Sequence, residues 1–263
     1  MAESEPGRVD RAARLGTGAE SRGRVRVETG GKRVRAVFGG TVVADTTAPL
    51  LVWEVPYYPT YYVPRADVRT DLSTPSGRTT RSPSRGEGHV STLRVGDREA
   101  VDAVTEYPDS PLEQLRDHVR LEWSAMDAWF EEDEEVYTHP RSPYVRLDIL
   151  PSSRRVRVEI DGVTVADTRG PRLLFETGLP TRYYLPKTDV RLDLLEPSDT
   201  VTHCPYKGRT EYFSVGEHTD IAWSYRTPLP ESTRIAGLVA FADERVDVYV
   251  DDVLQERPRT KFA

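Results

Sequence analysis

The sequence predicts a mainly β protein with minor α content, arranged as two tandem domains. Apolar residues alternate with charged ones in short segments, as at Val34, Ala36 and Phe38, and this period of two is typical of strands with one buried face. The chain also repeats itself, because residues 24–75 recur as residues 146–197 at an offset of 122 positions without a gap. A repeat of this length corresponds to a whole small domain rather than to a solenoid unit.

The repeat sets the predicted domain boundaries. Val43–Thr46 matches Val165–Thr168, and Tyr61–Pro64 matches Tyr183–Pro186. The acidic, proline-containing stretch between the copies is typical of a surface linker. We therefore predict four segments, namely a disordered leader at 1–23, a diverged N-terminal copy at 24–131, a linker at 132–145 and a C-terminal copy at 146–263.

Local signals predict the elements inside each copy. Gly39-Gly40 and Asp161-Gly162 are hairpin turns between strands. The segments Asp67–Leu72 and Asp189–Leu194 are predicted as strands with an exposed, ion-paired face. Two helices are predicted, a short one from Pro230 towards Val239 and a longer amphipathic one at Pro111–Leu121.

Composition narrows the class of protein. The chain has 263 residues, 30% of them charged, and a net charge of −7, which argues against general nucleic-acid binding. No apolar run reaches membrane-spanning length, and the N-terminal segment lacks the apolar core of a secretory signal. A cytoplasmic protein without membrane association is therefore expected, and its oligomeric state is not indicated.

The two copies disagree where reactive side chains stand. His203–Gly208 reads HCPYKG, whereas the matching Arg81–Gly86 reads RSPSRG. Proline and glycine, which shape a turn, are present in both copies, but cysteine, tyrosine and lysine are present only in the second. We therefore predict that the second copy carries the function.

The second copy also carries a family pattern. The order Val165–Thr168, Glu176, Tyr183–Pro186, Asp189–Arg191, Cys204–Gly208, Trp223–Tyr225, Ala236-Gly237, Val239–Phe241 and Asp247–Val250 resembles the domain of unknown function family 427, also catalogued as nucleotidyltransferase-like. The resemblance covers residues 146–253, and residues 24–131 look like a diverged second member.

The resemblance implies two small antiparallel β-tent folds, similar in outline to methionine sulfoxide reductase B and to the ligand-binding domain of cereblon. Those relatives often hold a structural zinc on four cysteines. This chain has one cysteine, Cys204, so no zinc and no internal disulfide are expected, and the cofactor is unknown.

Three residues are candidates for catalysis, each with a plainer alternative. Cys204 is either an inert buried thiol or a reactive one activated by His203 or Lys207. Lys207 is a solvated surface lysine, an anchor for an anionic ligand, or a nucleophile. Glu176, which follows an apolar run, is an acid or base if buried, or else a structural carboxylate like its counterpart Glu54.

Six further residues are predicted to bind a ligand. A β-fold with many aromatic side chains near one turn often forms a flat-walled pocket, although such side chains also serve as core. The predicted ligand-binding residues are His203, Tyr206, Tyr184, Tyr212, Trp223 and Tyr225.

The residues leave three functions open. The first is an enzyme acting on an anionic, nucleotide-like substrate, as the nucleotidyltransferase-like name of the family suggests. The second is a non-catalytic sensor that binds a small molecule in the aromatic pocket. The third is a structural interaction protein in which the motif residues hold the fold together.

Overall fold

A computed structural model describes residues 25–260, and the predicted leader lies outside them. Strands dominate both halves of the chain. The first half contains β1 Arg26–Thr29, β2 Val34–Phe38, β3 Thr41–Thr46, β4 Leu50–Trp53, β5 Thr60–Pro64, β6 Ser73–Ser82, β7 Gly86–Val95, β8 Arg98–Glu106, β9 His118–Leu121, β10 Ala128–Glu131 and β11 Glu134–Glu135.

The second half repeats this series. It contains β12 Leu147–Pro151, β13 Val156–Ile160, β14 Val163–Thr168, β15 Arg172–Glu176, β16 Arg182–Tyr184, β17 Glu196–Cys204, β18 Gly208–Val215, β19 His218–Ser224, β20 Val239–Phe241, β21 Asp247–Val250 and β22 Val253–Leu254. The mainly β, antiparallel fold is thereby confirmed.

The strand order is the same in the two copies. In the first copy one sheet runs β1-β4-β5-β9-β8-β7-β6 and a second runs β11-β10-β2-β3. In the second copy β12-β15-β16 and β20-β19-β18-β17 are joined by a single bridge between Leu185 and Val239, and the other sheet is β14-β13-β21-β22. No strand pair among the described residues joins the two copies, although β11, which pairs with β10, lies in the stretch predicted as linker. The domain boundaries drawn from the repeat stay a prediction.

Each copy buries its own main core between its two sheets. The core of the first copy includes Val34, Leu93 and Trp129, and that of the second includes Val156, Ile221 and Phe241. Alternation explains this, since Val34, Ala36 and Phe38 are buried while the residues between them are half-exposed. A smaller cluster around Tyr184, Tyr225 and Ala240 lies beneath the candidate site.

Helical segments are short 3₁₀ turns. They lie at Arg65–Asp67, Thr70–Leu72, Glu113–Leu115, Trp123–Ala125, Lys187–Asp189, Leu192–Leu194 and Pro230–Ile235. No helix among the described residues is long and apolar enough to span a membrane.

Two of the local predictions are wrong. The segments Asp67–Leu72 and Asp189–Leu194 are not strands, because paired 3₁₀ turns occupy them; their expected ion pairs, such as that between Arg191 and Asp193 (2.6 Å), are nevertheless present. Pro111–Leu121 is not a helix, because it holds one 3₁₀ turn followed by β9. The alternation of buried residues in β9 and its pairing with two neighbouring strands override the helical spacing.

Candidate functional site

The Cys204–Gly208 segment forms the tip of a hairpin. Cys204 at the end of β17 pairs with Gly208 at the start of β18, which leaves Pro205, Tyr206 and Lys207 as the loop. Gly208 has a φ of +99°, a conformation that favours glycine. Ser82 and Gly86 pair in the same way in the first copy, so the turn is retained while its side chains have changed.

Lys207 is buried in an ion pair. Its Nζ lies 2.5 Å from Oε2 of Glu176, and only about a tenth of either side chain is exposed (11% and 10%). Burial lowers the pKa of Lys207, but the neighbouring Cys204 and Glu176 raise it more, so that the net pKa lies above its ordinary value. Lys207 is therefore protonated at neutral pH, and the alternative of a solvated surface lysine is excluded.

The first copy holds the equivalent pair with more partners. Oε1 of Glu54 lies 2.5 Å from Nη1 of Arg85, accepts a hydrogen bond of 2.8 Å from the Tyr62 hydroxyl, and accepts a third of 3.2 Å from Nε of Arg120. In the second copy Lys207 donates to Glu176, whereas the Tyr184 hydroxyl accepts from Nε1 of Trp223 at 3.4 Å. Among the described residues, three side chains thus donate to Glu54, whereas Lys207 alone donates to Glu176.

Strand register explains why the two sites differ. Trp223 stands between Tyr212 and Ala240 on neighbouring strands, as Thr105 stands between Val90 and Arg120 in the first copy. The second copy therefore has aromatic rings where the first has small side chains. It has an alanine where the first has the arginine that reaches Glu54.

The predicted site residues line one cavity. Its volume is about 1350 Å³, and it lies between the two copies and the segment that joins them. All nine residues predicted from the sequence line it, namely Glu176, Tyr184, His203, Cys204, Tyr206, Lys207, Tyr212, Trp223 and Tyr225. The structure thus brings them together, while their roles in binding or catalysis stay predictions.

The sequence did not predict the residues that line the cavity outside the second copy's motif. The missed lining residues with aromatic or charged side chains are Arg26, Trp53, Glu54, Tyr57, Tyr58, His139, Tyr144, Arg182, Asp220, Glu244 and Arg245. The signal for part of this set was the stretch Pro56–Pro59, which places two tyrosines between prolines in a connection rather than in a strand. The loss of the reactive hairpin side chains in the first copy points away from these residues, although they line the cavity.

The joining segment is attached to the hairpin. The backbone N–H of Ser142 donates to the Tyr206 hydroxyl at 2.7 Å, and the hydroxyl of Thr138 donates to the carbonyl of His203 at 2.7 Å. The His203 ring stacks on Tyr137 with centroids 4.7 Å apart. These contacts assign His203 and Tyr206 to holding the segment against the site.

We expect Tyr206→Phe to lower the free energy of unfolding by about 1–3 kcal/mol, because the buried N–H of Ser142 then loses its acceptor. Urea unfolding measures this loss, and limited proteolysis should cut near residue 138 faster. Tyr212→Phe is the matched control, since its hydroxyl makes only an exposed hydrogen bond to Thr202. Equal effects of the two variants would contradict this role of Tyr206.

A second charged group lies beside the cavity. Arg182 contacts Glu244 at 2.8 Å and Asp243 at 3.3 Å, and its guanidinium lies 5.1 Å from the ring centre of Trp223. Burial raises the pKa of Asp243 from its ordinary value of 3.8 to about 7, because the nearby arginine compensates the buried carboxylate only in part. The sequence does not single out Asp243, since an aspartate in a run of charged residues carries no sign of burial.

The charges around the cavity balance. Arg26, Arg182, Lys207 and Arg245 are offset by four acidic lining residues, Glu54, Glu176, Asp220 and Glu244. Among the described residues, no group of three or more His, Cys, Asp or Glu side chains is arranged to hold a metal ion.

Fold and site together define a tandem β protein with an aromatic cavity between its copies. The chain belongs to the family described as Domain of unknown function (DUF427), whose profile matches residues 26–132 and 148–252. The predicted family and the tandem duplication are thereby confirmed. A comparison with curated proteins finds none that matches the chain.

Proposed function

We propose that the cavity between the copies binds a small organic molecule and that the second copy supplies its polar anchor. The observation that carries this proposal is the composition of the cavity wall. Many aromatic side chains surround the buried ion pair of Glu176 and Lys207. A concave site with mostly apolar walls and a few fixed polar groups is the usual form of a ligand pocket.

The state of Lys207 supports binding over covalent catalysis at this residue. A protonated amine cannot attack a carbonyl group, and Glu176 holds Lys207 in its charged form. Catalysis by Cys204, Lys207 or Glu176 stays a prediction, as do the nucleotidyltransferase-like activity and the cytoplasmic location.

The charge balance bears on the kind of ligand. We predicted an anionic ligand from Lys207 alone, but its charge is already matched by Glu176. Of the other basic lining residues, Arg182 pairs with Glu244 and Arg26 with Glu28, while Arg245 donates to the backbone carbonyl of Thr219. An anionic ligand stays a prediction, and the pairing favours an uncharged one.

The first copy supplies the variant that tests the proposal. Trp223→Thr combined with Ala240→Arg reproduces in the second copy the pair formed by Thr105 and Arg120 in the first. The new arginine should reach Glu176 as Arg120 reaches Glu54, and should occupy the polar end of the cavity. We expect this double variant to fold and to lose the ligand.

The measurement is untargeted mass spectrometry of small molecules released from the purified protein by heat. A compound should be released in stoichiometric amount from the wild type and be depleted at least tenfold in the double variant. The control is Val101→Thr, which changes an exposed side chain of the first copy outside the cavity. Equal release from the wild type and the double variant would refute the proposal.

A further inference from the structure

We propose that the ligand is an uncharged planar ring carrying an N–H group next to a carbonyl, as in a lactam. This inference rests on the proposed function, because it names the ligand class of the same site. It follows from the hydrogen bonds that the second copy leaves unused beside its aromatic walls.

The first step is the inventory of donors. A lysine ammonium has three N–H groups, and Lys207 gives one to Glu176. The Tyr184 hydroxyl accepts from Trp223, and within the described residues no acceptor is found for its own proton. Two kinds of donor are therefore available at the buried end of the cavity.

The second step is the acceptor. Lys207 occupies Oε2 of Glu176, so within residues 25–260 Oε1 accepts no hydrogen bond. The equivalent carboxylate, Glu54, already receives Tyr62, Arg85 and Arg120 on one oxygen. The second copy thus presents a donor and an acceptor side by side, whereas in the first copy three internal donors converge on the carboxylate.

The third step is to identify the ligand groups that pair with this donor and this acceptor. A lactam offers its carbonyl oxygen to Lys207 and its N–H to Glu176, which fits this pair without adding charge. A carboxylate would fit less well, because it would meet the Glu176 carboxylate as well as the lysine. The rings of Trp223 and Tyr212, with centroids 6.3 Å apart, offer apolar surface for a planar ring.

The test uses three planar probes of similar size and the full-length protein. They are 2-quinolone, a lactam; quinoline, which lacks the N–H and the carbonyl; and quinoline-2-carboxylate, an anion. Saturation-transfer NMR and calorimetry measure their affinities up to millimolar concentration. We expect 2-quinolone to bind at least about tenfold more tightly than either of the others, since hydrogen bonds to charged groups have about this effect.

Glu176→Gln sharpens the test. It removes the negative charge and leaves Lys207 as an uncompensated cation in the cavity, so the preference should reverse in favour of quinoline-2-carboxylate. Because the comparison of probes in the wild type stands by itself, a misfolded variant would not weaken the test.

The outcomes separate this inference from the proposed function. Preference of the wild type for the carboxylate, equal affinity for all three probes, or no binding of 2-quinolone would overturn the lactam assignment. The proposed function fails instead if the Trp223→Thr/Ala240→Arg variant binds the preferred probe as tightly as the wild type.

Discussion

Replacing Lys207 with methionine is expected to lower the free energy of unfolding by about 3–5 kcal/mol. The change removes one partner of a buried ion pair and leaves the Glu176 carboxylate, of which 10% is exposed, without its cation. Lys207→Arg should retain most of the stability, because Arg85 makes the equivalent pair with Glu54 in the first copy. Urea unfolding followed by circular dichroism measures both variants.

Arg85→Met is the internal control for this prediction. Glu54 keeps Tyr62 and Arg120 when Arg85 is lost, so the destabilisation should be clearly smaller than for Lys207→Met. If Lys207→Met were as stable as the wild type, the ion pair would have no part in holding the site.

Asp243→Asn should change how stability depends on pH. The folded-state pKa of Asp243 is raised from 3.8 to about 7 by burial, so the folded protein holds this proton more tightly than the unfolded chain. In the wild type the proton is lost first from the unfolded chain as pH rises above about 4, and stability therefore falls until pH reaches about 7. The difference is on the order of 4 kcal/mol.

The variant has no carboxyl group at this position, so this fall should disappear. The measurement is the free energy of unfolding by urea at several values between about pH 2 and pH 8. Glu244→Gln is the control, because the stability that Glu244 contributes changes with pH in the opposite direction to that of Asp243. Burial raises the Glu244 pKa, but the hydrogen bond and charge of Arg182 lower it more, so its net pKa lies below 4.5. The stability contributed by Glu244 is present above about pH 4.5 and is lost as pH falls through the lower pKa of the folded state. An unchanged pH profile in Asp243→Asn would show that Asp243 is charged throughout this range.

The sequence predicted the fold because its strongest signals are local and repeated. Alternation at Val34, Ala36 and Phe38 corresponds to β2, and the comparison of the two copies located the hairpin that ends at Gly208. Local pattern failed in Asp67–Leu72, where charged residues alternate with uncharged ones, since paired 3₁₀ turns satisfy that spacing as well as a strand does.

The site was predictable only on its second-copy side. Its hairpin residues Cys204, Tyr206 and Lys207 stand out because the first copy has lost them, and they do line one cavity. The contributions of Tyr58 and His139, whose rings stack, depend on how the first copy and the joining segment pack together, which no spacing in the chain encodes. The pairing of Lys207 with Glu176 likewise joins residues 31 positions apart through sheet geometry.

Native mass spectrometry of the intact protein is the measurement that tests the central claim most directly, because it counts bound molecules per chain. The unequal use of hydrogen bonds by Glu54 and Glu176 predicts one ligand per wild-type chain and none on the Trp223→Thr/Ala240→Arg variant. Two ligands per chain, or one ligand retained by the variant, would contradict a single cavity anchored in the second copy.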